Sequence, residues 1–389
     1  MFKKVILFLL FTFLLTTLYA QNKKVYESRY TDVVTKNDLI YAISKTHKLV
    51  VWDMNIGGIS YIKKEVSCIY TNKRSEVYCA TLDGEIQKET ITNEWKKVGA
   101  FTGTPFAILT TNANKIASIS SKGIKYNNKY YMPKEKNRIG NGMYSFKNDK
   151  LRKPQLTYID HKDRIWISYD FGKFSEVFIF DTKKSAFLDY KPLSILDEKK
   201  TFNNKEDYLK DYHKKQFKKY PYHVKKLGKE YAYKFPTELP LYYGIKSITQ
   251  DKVGNYYISE GLAYSHKKNG FYEYQITSEK RFYKILENRE SSFKKQNEII
   301  GPIVYNNFNE SLYYYSNYGF FKLHKNESSY KNELAIDPNV LLYTNKIPHN
   351  YGSVMNVTKM LFMDKTRFVF LTKQYGFGYY DGENVNLFN

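Results

Sequence analysis

The stretch VTKMLFMDKTRFVFLTKQYGFGYYDGENVNLF, residues 357–388, decides the fold. Short apolar runs alternate with an Asp-Lys corner, a Tyr-Gly step and an Asp-Gly turn. The same cadence occurs in IKSITQDKVGNYYISEGLAYSHKKNGFYEY, residues 245–274. A β-rich run, a polar corner, a second run, a Gly-marked step and a third run form one unit. The second runs are LIYAI from Leu39, VYCAT from Val77, IASIS from Ile116, IWISY from Ile165, YYISE from Tyr256, LYYYS from Leu312 and FVFLT from Phe368. Third runs such as GEIQKET, GIKYNNKYY, GFFKLHK and GFGYYDG open on or beside Gly84, Gly123, Gly319 and Gly376, and Gly270 opens another.

Units of about 40–55 residues with three or four short strands are the signature of propeller blades. One blade cannot bury both faces, and closing a ring packs each sheet against two neighbours and hides its edges. The sequence therefore predicts an all-β, seven-bladed β-propeller, with six or eight blades as the alternatives. Tyr (39 residues) and Phe (26) suit half-buried pleated surfaces. KVYESRY, residues 24–30, is expected to approach the last blade and help close the ring.

One spacing is out of line: 91 residues separate Ile165 from Tyr256. The excess includes KTFNNKEDYLKDYHKKQFKKYPYHVKKLGKEYAYKF, which lacks period-2 alternation. Asn203 or Asn204 offers a cap, Glu206 and Asp207 lie in the first turn, and basic residues follow, which complements a helix dipole. This predicts a helical, Lys-rich insertion at about 196–236, between blades four and five. Lys214, Lys215, Lys218, Lys219, Lys225 and Lys226 would attract an anionic partner, and Tyr212, Tyr220 and Tyr222 would supply contact area.

The repeat resembles that of bacterial two-component-regulator-type propellers. The matching residues are Asp251, Gly254, Asn255, Tyr256 and Tyr257; Asp364, Phe368, Gly376, Tyr380, Asp381 and Gly382; and Asp163, Trp166 and Gly172. That resemblance implies a sensory or partner-binding propeller. In that family a membrane helix and a signalling output follow the propeller, and the signalling role is not expected to carry over to this chain.

The N-terminus MFKKVILFLLFTFLLTTLYAQ has Lys3 and Lys4, an apolar run from Val5 to Leu15, and Ala20 before Gln21. This reads as a signal peptide over residues 1–20, since the run is shorter than the roughly 20 residues a spanning helix needs. Residues 21–389 are then one exported domain, periplasmic or secreted, with no membrane span after cleavage. Export permits a disulfide between Cys68 and Cys79, which flank the turn TNKRSE. Two small buried thiols are the other reading.

The net charge of +23 biases the chain toward anionic partners. A protein or an anionic glycan or polymer of the cell envelope fits both charge and address; nucleic acid fits the charge alone. No catalytic residue, metal site or cofactor is expected. His47, His161, His213, His223, His266, His324 and His349 are scattered, without metal-ligand spacing. Paired carboxylates of the glycosidase kind could come from Asp160, Asp163, Asp170, Asp251, Glu260 and Asp364, but Asp163, Asp251 and Asp364 read as turn residues at one place in the repeat. The expected function is a non-catalytic binding module. A carbohydrate-active hydrolase or lyase at the channel mouth, or a structural envelope component, are the alternatives.

Overall fold

Each second run listed by the sequence is a strand, because its β-branched and aromatic residues pack on both faces. Val77–Thr81, Ile116–Ser120 and Phe368–Thr372 are buried almost throughout, as a sheet sandwiched between two others requires. The computed structural model describes residues 29–140, 146–147, 150–170, 175–188, 201–202, 225–227, 230–232, 245–254, 256–260, 270–277, 281–287, 300–316, 319–325, 330–336, 357–373 and 376–388.

Among the described residues, six four-stranded antiparallel sheets follow one another along the chain, over residues 30–63, 66–100, 105–131, 245–287, 300–336 and 357–388. Each takes its strands in chain order, joined as a meander. We call them blades one to six. First strands touch from blade one to three and from four to six, Leu156–Ile159 of a further sheet bridges blades three and four, and the first strand of blade one, Tyr30–Lys36, also meets blade six, so the ring closes.

The count of blades is therefore six, not the seven expected. The run at Arg164–Asp170 belongs instead to a five-stranded sheet lying between blades three and four. Its third strand, Ser175–Asp181, carries two short neighbours, Ile139–Gly140 and Ala186–Phe187. The apolar run after Asp181 is too short to cover that edge, so an upstream segment takes part of it.

The expected helical insertion is also corrected. No α-helix occurs among the described residues. Within 196–236 the described residues are three short strands, Thr201–Phe202, Lys225–Leu227 and Glu230–Ala232, paired antiparallel around the last. Caps and charge placement are weak guides, which tertiary context overrides.

Blades one and six close the ring with side chains rather than with a shared strand. Tyr30, Val33, Ile40, Val369, Leu371 and Phe377 form one buried cluster, with Trp52 and Phe388 against it. Of the segment expected to assist closure, Tyr30 does so, with its ring 5.2 Å from that of Phe377; residues 24–28 lie outside the described residues. On the other face of blade six, Gly378 makes room for the Phe370 ring, which packs against Phe320 of blade five, because a Cβ there would overlap it.

Candidate functional site

The innermost strands line the centre of the ring, and most share a β-bulge near their start. The register steps from Tyr30 to Asp32, Val66 to Cys68, Ile245 to Ser247 and Val357 to Lys359, leaving Thr31, Ser67, Lys246 and Thr358 unpaired. A bulge re-aims a side chain out of the ladder. Among the described residues of the innermost strands, Thr31 and Thr358 are the exposed ones. Their hydroxyls donate to the second strand: Thr31 Oγ1 to the Ile43 carbonyl at 3.4 Å and Thr358 Oγ1 to the Leu371 carbonyl at 3.3 Å. Ser67 Oγ donates to the Ala80 carbonyl at 3.2 Å.

The residue after the bulge varies: Asp32, Cys68, Ser247 and Lys359 in blades one, two, four and six. Blades one and six are neighbours, and Lys359 Nζ donates to Asp32 Oδ1 at 2.7 Å, with both side chains about a third exposed (35% and 33%). The Val33 amide also donates to Oδ1, at 2.8 Å. Beside Asp32, burial pushes the Cys68 thiol up to about 12, so it stays protonated. A charged pair at this register breaks the repeat.

The opposite face carries the turns between first and second strands, tied blade to blade. Four of these turns share one geometry. The amides of Ser75, Asn114, Asp163 and Gly254 donate to the carbonyls of Asn72, Thr111, Asp160 and Asp251 at 2.8–3.1 Å. All four donors have φ between 59° and 97°, where Asn, Asp and Gly are favoured. Polar contacts then run around the ring. Asn72 Nδ2 donates to Asn114 Oδ1, the Asn112 amide to Asp163 Oδ1, and the His161 amide to Gln250 Oε1. Lys252 pairs with Glu310, Asn306 Nδ2 donates to the Asp364 carbonyl, and Arg367 reaches Asp38.

This girdle accounts for the acids weighed as catalytic carboxylates. Asp163, Asp251 and Asp364 are turn residues, as read, but at three different places in the turn. Asp163 is the left-handed residue and shares its place with Gly254. The true equivalent of Asp251 is Asp160. Asp251 accepts from the Gly254 amide and from Tyr257 OH. Asp364 accepts from the Thr366 and Arg367 amides and from the Arg367 side chain. Asp160 is 1% exposed. Its Oδ2 accepts from Arg164 Nε at 2.8 Å, Trp166 Nε1 at 3.1 Å and Tyr256 OH at 2.6 Å, and its Oδ1 from the Lys162 and Arg164 amides. Burial, then the Asp160 charge, raises the Tyr256 hydroxyl far above its usual range. The side chains of Asp170 and Glu260 lie outside the described residues.

A second buried acid went unnoticed in the sequence. Glu89, on the third strand of blade two, accepts from Lys36 Nζ, Tyr41 OH and Tyr61 OH of blade one at 2.9, 2.7 and 2.6 Å. Burial and then Glu89 itself raise both phenols, which keeps them as donors.

Cys68 and Cys79 do not face each other. Cys68 lies opposite Ala80 and Cys79 opposite Ile69. They fall on the two faces of the blade, in separate clusters, as free thiols. The turn between Thr71 and Val77 holds five residues, so the pairing is centred on Arg74 and the two cysteines miss each other by one residue, which puts them on opposite faces. Of the expected partner-binding residues, Lys225 and Lys226 lie on a short strand, while Tyr212, Lys214, Lys215, Lys218, Lys219, Tyr220 and Tyr222 lie outside the described residues. Among the described residues no group of three or more His, Cys, Asp or Glu could hold a metal ion, and no helix is long and apolar enough to cross a membrane. Asp32 and Lys359 were missed because the first runs were not aligned. YTDVVTK, VSCIYT and VTKMLF, set side by side, show a column of Thr31, Ser67 and Thr358, interrupted by Lys246 in IKSITQ, and beside it Asp32 and Lys359.

No family model matches the chain, and no curated protein matches it in sequence. Solved structures resemble it in shape. A catalytically inactive virginiamycin B lyase from Staphylococcus aureus, with quinupristin, has 11% identity and a TM-score of 0.49, covering 91% of this chain and 95% of that one. The β-propeller domain of Cps50 (Swd1) from Myceliophteria thermophila has 7% identity and a TM-score of 0.49, covering 93% and 97%. YCF48 from Cyanidioschyzon merolae has 8% identity and a TM-score of 0.49, covering 90% and 94%. The chain is an all-β propeller on its own sheet topology.

Proposed function

We propose that the chain is an exported, non-catalytic β-propeller that binds a protein or glycan of the cell envelope. The observation that carries this is the fate of its acids. Asp160, Asp163, Asp251 and Asp364, the described carboxylates weighed for catalysis, are held by turn amides and inter-blade donors. A general acid or nucleophile needs a carboxylate that can reach substrate; these hold the ring together instead. The resemblance to two-component-regulator-type repeats supports a recognition module.

The net charge of +23 favours an anionic partner, and the Lys-rich segment 196–236 concentrates it. The chain leaves the ring after Leu188 and re-enters at Ile245. That connection joins a last strand to a first strand, so its ends lie on the face where the innermost strands begin. The leader-like residues 1–20 support export.

The test is retention of the purified protein on immobilised acidic and neutral polysaccharides at low and high salt, with a reducing-end assay on the same polymers. Retention without new reducing ends supports the reading. Release of reducing ends, abolished by substituting an acid, would replace it with a hydrolase or lyase.

A further inference from the structure

We infer that the inner edge of the ring at the seam between blades six and one is a subsite for a neutral saccharide unit. This rests on the reading of the chain as a glycan-binding module and says where one sugar is held. The charged pair and the hydroxyls around it have no counterpart at the same register in blade five, where Ile303 is fully buried.

The hydrogen-bond inventory selects the ligand. Thr31, Thr358 and Ser67 spend their hydroxyl protons on the carbonyls of Ile43, Leu371 and Ala80. Their oxygens can then only accept from a ligand. Asp32 uses Oδ1 for Lys359 and Val33, which leaves Oδ2 as a further acceptor. Lys359 supplies the donors, with one of its three protons spent on Asp32. The pair carries no net charge, so neither a simple cation nor a simple anion is favoured there. An acceptor-rich, neutral rim with one strong donor matches a polyol, whose vicinal hydroxyls donate to a carboxylate and accept from an ammonium.

The Lys-rich connection leaves from Leu188 and re-enters at Ile245, and those two ends share a face with this edge. Both lie on the face where the first strands begin. Long-range attraction by the lysines and short-range reading of one sugar at the rim are then separable, since only the first is screened by salt.

The test is saturation-transfer NMR of the full exported chain with D-glucose, D-galactose and N-acetylglucosamine, beside the polysaccharide retention assay. At least one sugar should bind. Asp32→Asn should weaken it about tenfold, the loss expected for a hydrogen bond to a charged group, and Thr31→Val with Ser67→Ala should weaken it about threefold, in line with neutral hydrogen bonds. The Thr31 and Ser67 changes remove no core packing and keep the test open if Asp32→Asn fails to fold. Equal sugar binding by the wild type and the variants overturns the subsite. Polysaccharide retention with no sugar bound also overturns it but leaves the binding-module reading standing. Loss of both overturns both.

Discussion

Between blades six and one, Phe377 lies against Tyr30 and Phe388 at ring centroids of 5.2 and 5.0 Å, and Trp52 meets Phe388 at 4.8 Å. Between the five-stranded sheet and blade four, the centre is Asp160 with Arg164, Trp166 and Tyr256. The first seam is held by apolar area, which is tolerant of register. The second is held by directional bonds, which are satisfied in one alignment only. A buried ion pair adds little net stability, but removing one partner strands the other. The aromatic seam joins the ends of the chain, and the polar seam aligns the two sheets that flank the long connection.

That contrast can be broken most sharply at Asp160. Asp160→Ala leaves Arg164 charged and buried and should cost about 3–5 kcal/mol, read as a fall in the urea midpoint. An unchanged midpoint would mean that the polar seam aligns nothing. At the aromatic seam, Phe377→Leu keeps most of the apolar volume and loses ring contacts. It should cost about 2 kcal/mol, from the worth of two aromatic pairs, with no change in salt dependence.

Rim charges on the closing seam should matter less. Arg367, which reaches Asp38 and Asp364, is about a third exposed (32%). Arg367→Ala should cost about 0.5 kcal/mol, a typical value for exposed pairs, and the loss should shrink as salt is raised. A loss above that of Phe377→Leu would make closure electrostatic.

A last effect, confined to acid pH, lies within blade two, where Glu76 bonds Lys88, Asn72 and Tyr78. The Lys88 bond, against opposing burial, holds the Glu76 carboxyl at about 2, below its ordinary 4.5. The folded state therefore binds this proton less readily than the unfolded chain. Its stabilisation is present above pH 4.5 and is lost as pH falls from about 4.5 to 2. Glu76→Gln should flatten the acid limb of the stability curve in that window and leave the limb above pH 5 unchanged.

Sequence reading found the strands because Leu39, Val77, Ile116, Tyr256, Leu312 and Phe368 each open an apolar run followed by a marked step. It overcounted the blades because Arg164–Asp170 looks the same locally. What differs is its outer edge, which Ile139–Gly140 and Ala186–Phe187 share, and such long-range sharing leaves no periodic trace. The helix was misread for a related reason: Lys225–Leu227 and Glu230–Ala232 are too short to alternate visibly. The site was half legible. Acids at the corners stood out, although their role was architectural. Asp32 and Lys359 are separated by 327 residues and become a pair only once the ring is closed.

That separation has a consequence for how the chain folds. Every blade is a meander whose ladder joins strands adjacent in the chain, so the backbone pairing is local and can form early as synthesis proceeds. The aromatic closure is the opposite: nothing can cover Val33, Ile40 and Tyr30 until residues 357–388 exist. Non-local contacts of this kind pay their loop-closure entropy first and form late, and exposed apolar faces on partly folded chains invite aggregation in the meantime. An arc without the last blade would leave these apolar faces uncovered, and a helper holding blade one would then act on the yield of the fold rather than on its final stability.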